Sequence, residues 1–252
     1  MDKKDYFSNQ SKAYAAFRPC YPVELYQFIF QHLSGRSAAW DCATGTGQVA
    51  RYLAGHFDCV EATDISENQL ANACPAGNII YSVCPAEHTS FKDHRFDLIT
   101  VGQALHWFDL PRFYGEVYRT GKPDGLLAAW GYGLLSVTPG VDELFLDFYN
   151  NTVGPYWDEA RRLVEDHYQT IPFPFEEIPC PEFDIKVEWS AAQLSGYLSS
   201  WSATQKYIRV HNHDPAEGFS ADLRSRWKDG ETKIVTFPVF VKLGRIGRFA
   251  AS

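Results

Sequence analysis

Residues 38–48 read Ala38-Ala39-Trp40-Asp41-Cys42-Ala43-Thr44-Gly45-Thr46-Gly47-Gln48. The apolar run from Ala38 to Ala43 has the character of a short strand and ends in Thr44-Gly45-Thr46-Gly47. Gln48 to His56 then has helical character. Glycine lets a backbone approach a bound molecule closely and takes positive φ where a side chain would clash. The first turn of the following helix presents N–H groups with no intrahelical partner. Cys59 to Thr63 is a second strand candidate, and Asp64 stands at its end. An acidic side chain there can accept hydrogen bonds from both hydroxyls of a ribose. Strand, glycine loop, helix, strand and carboxylate together describe a site for an adenosine-containing ligand at the carboxyl ends of strands one and two.

The same alternation extends in both directions. Tyr21-Pro22 introduces a helical stretch from Val23 to Leu33, stopped by Ser34-Gly35. Downstream, a helix starts after Asp64-Ile65-Ser66-Glu67, and Ile79–Val83 and Phe96–Val101 are the third and fourth strands. Leu105 to Arg119 reads as helix, Lys122-Pro123-Asp124-Gly125 as a turn, and Leu126 to Trp130 as a fifth strand. Apolar strands alternating with helices predict an α/β fold, a doubly wound parallel sheet covered on both faces. After Tyr132 the rhythm changes. An aromatic-rich stretch leads to the proline-rich IPFPFEEIPCPEF, then come an alternating segment at 184–189, partly helical residues 191–209, and a β-rich segment at 232–243. Pro238 in that last segment predicts a bulge or an edge position. The expected organisation is one domain over 1–252, with a core at 34–133 and a helical cap at 134–183 and 190–230. Two late strands, at 184–189 and 232–243, pair antiparallel.

Composition narrows the function classes. The 252 residues are 45% hydrophobic and 21% charged, which excludes a disordered or low-complexity chain. A formal charge of −8 argues against nucleic acid or an anionic membrane as the main partner. The cysteines are scattered, with no CxxC pair and no zinc-like spacing, as expected of reduced thiols in a cytoplasmic protein. No apolar signal-like run opens the chain, and Leu126–Val137 is too short to span a bilayer. His211-Asn212-His213-Asp214 lacks further metal-ligand partners in sequence, so no metal is expected. Gly-x-Ser-x-Gly and Gly-x4-Gly-Lys-Ser/Thr are both absent, which removes serine-hydrolase and P-loop readings.

Two ligand classes fit the glycine loop. Gly45-x-Gly47-x-x-Ala50 matches a dinucleotide fingerprint, whereas Asp41-x-Ala43-x-Gly45-x-Gly47 resembles motif I of class I S-adenosylmethionine-dependent methyltransferases. The acidic Asp41 inside the strand favours the second. Pro85-Ala86-Glu87 resembles that family's adenine-side segment, and the run from Phe96 through Gln103-Ala104-Leu105-His106-Trp107-Phe108 resembles its motif IV. Lys122-Pro123-Asp124-Gly125 resembles its turn into strand five. The segment Tyr14-Ala15-Ala16-Phe17-Arg18-Pro19-Cys20-Tyr21-Pro22 resembles the entry of the trans-aconitate-type branch, which stands beside the ubiquinone/menaquinone-type enzymes.

The resemblance implies a Rossmann-like, mostly parallel seven-stranded sheet with a C-terminal antiparallel hairpin and a helical cap. It implies S-adenosyl-L-methionine as cofactor, held by Asp41, Ala43, Gly45, Gly47, Asp64, Ile65, Ala86, Glu87 and Gln103. It further implies a small-molecule acceptor, with a carboxylic acid as one class, near Tyr14, Arg18 and Trp107. His106 is the nearest candidate base if the acceptor needs one. A monomer or homodimer is expected. The competing readings are an NAD(P)-dependent oxidoreductase and a non-catalytic binding protein on the same fold.

Overall fold

The computed structural model describes residues 19–247. Helix α1 (Val23–Gln31) precedes β1 (Ala38–Cys42), α2 (Gln48–Ala54), β2 (Cys59–Asp64), α3 (Glu67–Ala71) and β3 (Ile79–Val83). Then come β4 (Phe96–Gly102), α4 (Leu110–Thr120) and β5 (Gly121–Tyr132). Helices α5 (Pro139–Asp147) and α6 (Arg161–Glu165) lead to a two-residue β6 (Glu176–Glu177) and to β7 (Phe183–Ser190). Helices α7 (Ala191–Ser199), α8 (Ser202–His211) and α9 (Ala216–Leu223) precede β8 (Thr232–Arg245).

The strand order is β3-β2-β1-β4-β5-β8-β6, with β7 also paired to β8. The five strands from β3 to β5 run parallel, and β8 is antiparallel to β5, β6 and β7. Chain order reverses between β1 and β4, so a crevice opens at their carboxyl ends, where open α/β sheets bind ligands. All five β1 residues are buried, as befits a strand covered on both faces. Trp40 packs on one face with Phe96, Phe113 and Val117, and Trp130 on the other with Leu25, Ile29 and Leu53. Each such side chain contributes roughly 1.5–3 kcal/mol by leaving water.

The architecture agrees with the expected fold class, and several boundaries differ for identifiable reasons. The sheet has eight strands instead of seven because β6 adds two residues to the edge of β8. β7 and β8 pair antiparallel over Phe183–Ser190 and Thr232–Val239, yet helices α7–α9 intervene, so the pair is no tight hairpin. The helix expected from Leu105 splits into a 3-10 turn, Leu105–Trp107, and α4. Asp109 is the cause: its backbone is extended, its carboxylate accepts from Arg112 N–H at 3.4 Å, and Pro111 takes the first turn. Strand β5 starts earlier than expected, at Gly121, and its register against β4 shifts between Phe96 and Leu98. The helical stretch at 191–209 divides at Trp201, whose backbone is extended. Pro238 lies on an interior strand, contrary to the edge or bulge expectation. Its carbonyl accepts from Gly133 N–H at 2.8 Å, just past the last β5 pair, Tyr132 with Val239, so the missing donor falls where that ladder ends.

Candidate active site

The glycine loop leaves β1 with three alternate residues in the left-handed region: Ala43 at φ 55°, Gly45 at φ 57° and Gly47 at φ 78°. A Cβ on Gly47 would lie 2.2 Å from the Tyr81 hydroxyl. Beneath the loop, Asp41 is 1% exposed. Its Oδ1 accepts from the Thr100 hydroxyl at 2.7 Å, and its Oδ2 from the Thr44 hydroxyl and, at 3.1 Å, from Ala50 N–H. Burial pushes this carboxyl up to about 6 against the opposing pull of those hydrogen bonds. Asp41 thus ties β4, the loop and the first turn of α2 together from below.

Asp64 closes the loop from the side of β2. Its Oδ2 accepts from Gly45 N–H at 2.8 Å and its Oδ1 from Ser66 N–H at 2.9 Å. Ile65, next along, is 46% exposed, an apolar side chain at the rim. Beyond β3, Ala86 turns into the core, while Glu87 accepts from Asp109 N–H at 3.0 Å and fixes its loop to the start of α4.

Gln103 lies between the loop and the cap, in the left-handed region at φ 56°. Its N–H donates to Trp130 O at 2.8 Å. Its side-chain Nε2 reaches Tyr132 O at 3.4 Å, while Oε1 is buried with no hydrogen-bond partner among the described residues. An orphaned buried acceptor is costly unless a ligand donor satisfies it.

A cleft of about 90 Å³ runs from this point under the cap. Gln103, His106, Trp107 and Tyr132 form its sheet side, and Trp157, Asp158, Arg161, Tyr197 and Trp201 its cap side. His106 Nδ1 lies 2.9 Å from the Tyr168 hydroxyl. Burial pushes the Tyr168 phenol well up, so it stays protonated at neutral pH. Asp158 is paired with Lys206 at 2.7 Å.

Comparison with known proteins decides the family. The sequence pattern of the methyltransferase domain matches residues 40–129. A methyltransferase of Dictyostelium discoideum is 35% identical over 249 residues, 96% of this chain and 95% of its own length. This chain belongs to the class I S-adenosylmethionine-dependent methyltransferases. A solved structure described as a type II methyltransferase from Anaeromyxobacter dehalogenans superposes with a TM-score of 0.85 at 36% identity, covering 92% of this chain and 99% of that one. A Saccharomyces cerevisiae protein described as S-adenosylmethionine-dependent matches at 28% over 143 residues, 52% of this chain and 49% of its own. The nicotinamide reading is not favoured by these relatives.

Several features of this methyltransferase fit its family's cofactor. The loop before α2 carries Gly45 and Gly47 in the left-handed region, a carboxylate flanks it, and an orphaned acceptor stands just past the end of β4. Of the residues the sequence singled out, Asp41, Ala43, Gly45, Gly47, Asp64 and Ile65 gather around the loop. Gln103, His106 and Trp107 line the cleft. Ala86 and Glu87 lie beyond β3, engaged with the core and with α4. Tyr14 and Arg18 lie outside the described residues. Sequence reasoning missed Trp157, Arg161, Tyr197 and Trp201, which come from separate segments of the cap. Of the aromatic residues at 145–175, Phe145, Phe148, Tyr149 and Tyr168 are buried in the core, while Trp157 lines the cleft. Among the described residues there is no cluster of three metal-ligand side chains, and no helix long and apolar enough to cross a membrane.

Proposed function

We propose that this methyltransferase transfers the methyl group of S-adenosylmethionine to a small organic molecule bound in the cleft under the cap, as trans-aconitate-type enzymes do. One observation carries the reading: the braced glycine loop follows β1, and Gln103, which lines the aromatic cleft, follows the neighbouring parallel strand β4, so both stand at the crevice where the strand order reverses. The cofactor supplies a methyl carbon made electrophilic by a sulfonium. The chain's task is then to align a nucleophile with that carbon and to keep water out.

Asp64 takes the ribose hydroxyls, and Ala43, Gly45 and Gly47 let the backbone approach the sugar and the amino-acid portion. Asp41 keeps the loop in shape instead of touching the ligand, since three donors already occupy its oxygens. Ile65 offers an apolar face to the adenine, with the loop of Ala86 and Glu87 behind it. Gln103 Oε1 accepts from the amino group of the methionine portion. The enzyme works without a metal, on a free small molecule in the cytoplasm, as a monomer or homodimer.

Thermal unfolding with and without millimolar S-adenosylhomocysteine tests the cofactor. A ligand at about 100 times its Kd adds roughly 2.7 kcal/mol, about 5–10 °C in Tm for a chain of this size. The expected result is such a shift with S-adenosylhomocysteine and none with NAD(H). The reverse pattern would overturn the reading.

A further inference from the structure

The cap wall of the cleft has the composition of a site for a positive charge. Trp157, Tyr197 and Trp201 line it, with the Trp157 and Tyr197 centroids 5.3 and 5.5 Å from that of Trp201. The buried Tyr149 ring packs against the same group, 5.2 Å from Trp157 and 5.7 Å from Trp201. Aromatic rings offer negative faces to a cation, and cages built from them recognise quaternary ammonium groups. In this chain the cation is already in place. The Arg161 guanidinium stands 4.8 Å from the Trp157 centroid and 5.8 Å from that of Tyr149, both inside the reach of about 6 Å for a cation–π contact.

The guanidinium is held there. Its Nε donates to the Tyr149 hydroxyl at 3.1 Å, and that hydroxyl donates to Glu165. Arg161 and Glu165 are the two ends of α6, so one short helix supplies both the cation and the carboxylate that anchors its partner. The charge itself is left standing in the cleft. Asp158 is the carboxylate among the lining residues, and it pairs with Lys206 at 2.7 Å. Glu165 reaches the guanidinium through the Tyr149 hydroxyl, and among the described residues no carboxylate forms a salt bridge with Arg161. A second cation entering this space would meet a like charge, lose part of its hydration, and find the Trp157 face occupied.

We propose that Arg161 is a specificity-determining residue that closes the cleft to ammonium compounds. It fills the aromatic site from within the chain and reserves the remaining space for acceptors that carry no positive charge. This rests on the cleft being the acceptor site, and deepens that reading by the class of molecule refused. It makes a demand that a merely structural arginine would not: removing the side chain should create a binding site for a cation.

The probes are 1-methylnicotinamide, a planar cation, and 3-methylbenzamide, its uncharged isostere with carbon in place of the ring nitrogen. Each is titrated in the presence of S-adenosylhomocysteine. Saturable quenching of tryptophan emission reads the cleft, because Trp107, Trp157 and Trp201 line it. The wild type is expected to bind the uncharged amide at least tenfold more tightly than the cation. Arg161→Ala and Arg161→Gln should each gain at least tenfold in affinity for the cation, while Arg161→Lys keeps the wild-type preference. Equal binding of the two probes by the wild type, no gain for the cation in either uncharged variant, or the same gain in Arg161→Lys would each overturn the proposal. Calorimetric titration of S-adenosylhomocysteine alone keeps the two readings apart. Its failure in the wild type strikes the cofactor assignment, while an unchanged affinity in the variants shows that they are folded and that only the cleft was altered.

Discussion

The left-handed backbone at alternate positions of the loop makes opposite demands on neighbouring residues. Ala43 holds φ 55° at a cost of about 1–2 kcal/mol for a residue with a Cβ. Ala43→Gly removes that strain but loosens the unfolded chain by roughly 0.5–1 kcal/mol. The expected net is a small gain, with Tm up by about 1–3 °C in calorimetry; a fall would show that the Ala43 methyl packs usefully. Gly47→Ala has no such compensation. Its φ of 78° disfavours any side chain, and the new methyl must push the Tyr81 hydroxyl off Cys74 O, its partner at 2.9 Å. A loss of at least about 1–2 kcal/mol is expected, together with weaker binding of S-adenosylhomocysteine. Asp64→Asn removes the charge offered to the ribose and also sets an amide NH2 against one of the two backbone N–H groups, of Gly45 or Ser66, that the carboxylate accepts. Affinity should fall at least tenfold, about 1.4 kcal/mol, and an unchanged calorimetric titration would remove Asp64 from the site.

Helix α4 shows how an element away from the glycine loop is fastened to the segment that follows β3. Glu116 accepts from Thr89 N–H at 2.8 Å and from the Thr89 hydroxyl at 2.6 Å, and pairs with Arg119 at 2.8 Å. Burial raises this carboxyl, but the Arg119 and Thr89 hydrogen bonds outweigh it and hold it at about 2. A lowered folded-state value means stability that is fully present above the unfolded-state value near 4.3 and lost as pH falls toward about 2. Glu116→Gln should therefore lower Tm at pH 7, and the gap to wild type should close between about pH 4.5 and 2. A gap that persists at pH 2 would make the loss one of shape, not charge. The parallel core was legible in the sequence because each strand from β1 to β5 is a local apolar run and each glycine or acidic position follows its own strand end. Boundaries were less legible where one polar side chain decides them. Asp109 starts α4 by capping it, a contact that periodicity cannot register, and β6 is too short to carry any pattern.

At the scale of the molecule, the cofactor side of the site was readable and the acceptor side was not, for a topological reason. Asp41, Gly45, Gly47 and Asp64 fall within one β-α-β passage, whereas Trp107, Trp157, Arg161, Tyr197 and Trp201 meet only after the cap has folded onto the sheet. What joins the two halves is β8, which pairs with β5 of the parallel core on one edge and with β6 and β7 on the other. Phe237 on that strand is 1% exposed and packs edge-on against Tyr132, Trp189 and Tyr197, with centroids 5.4, 5.7 and 5.5 Å away. Tyr132 and Tyr197 are opposite walls of the cleft, so one buried ring sets their separation. Phe237→Leu keeps the site apolar but loses volume and three aromatic contacts, a cost of about 1–3 kcal/mol, and should lower Tm by roughly 3–10 °C. Because the ring partners of Phe237 are Tyr132, Trp189 and Tyr197, none of them in the glycine loop, S-adenosylhomocysteine should bind the variant about as well as wild type, while binding in the cleft, read by quenching of its tryptophans, weakens several-fold. Parallel losses of both ligands would mean that loop and cleft move as one body, and that the cap shapes the cofactor site as well as the acceptor's.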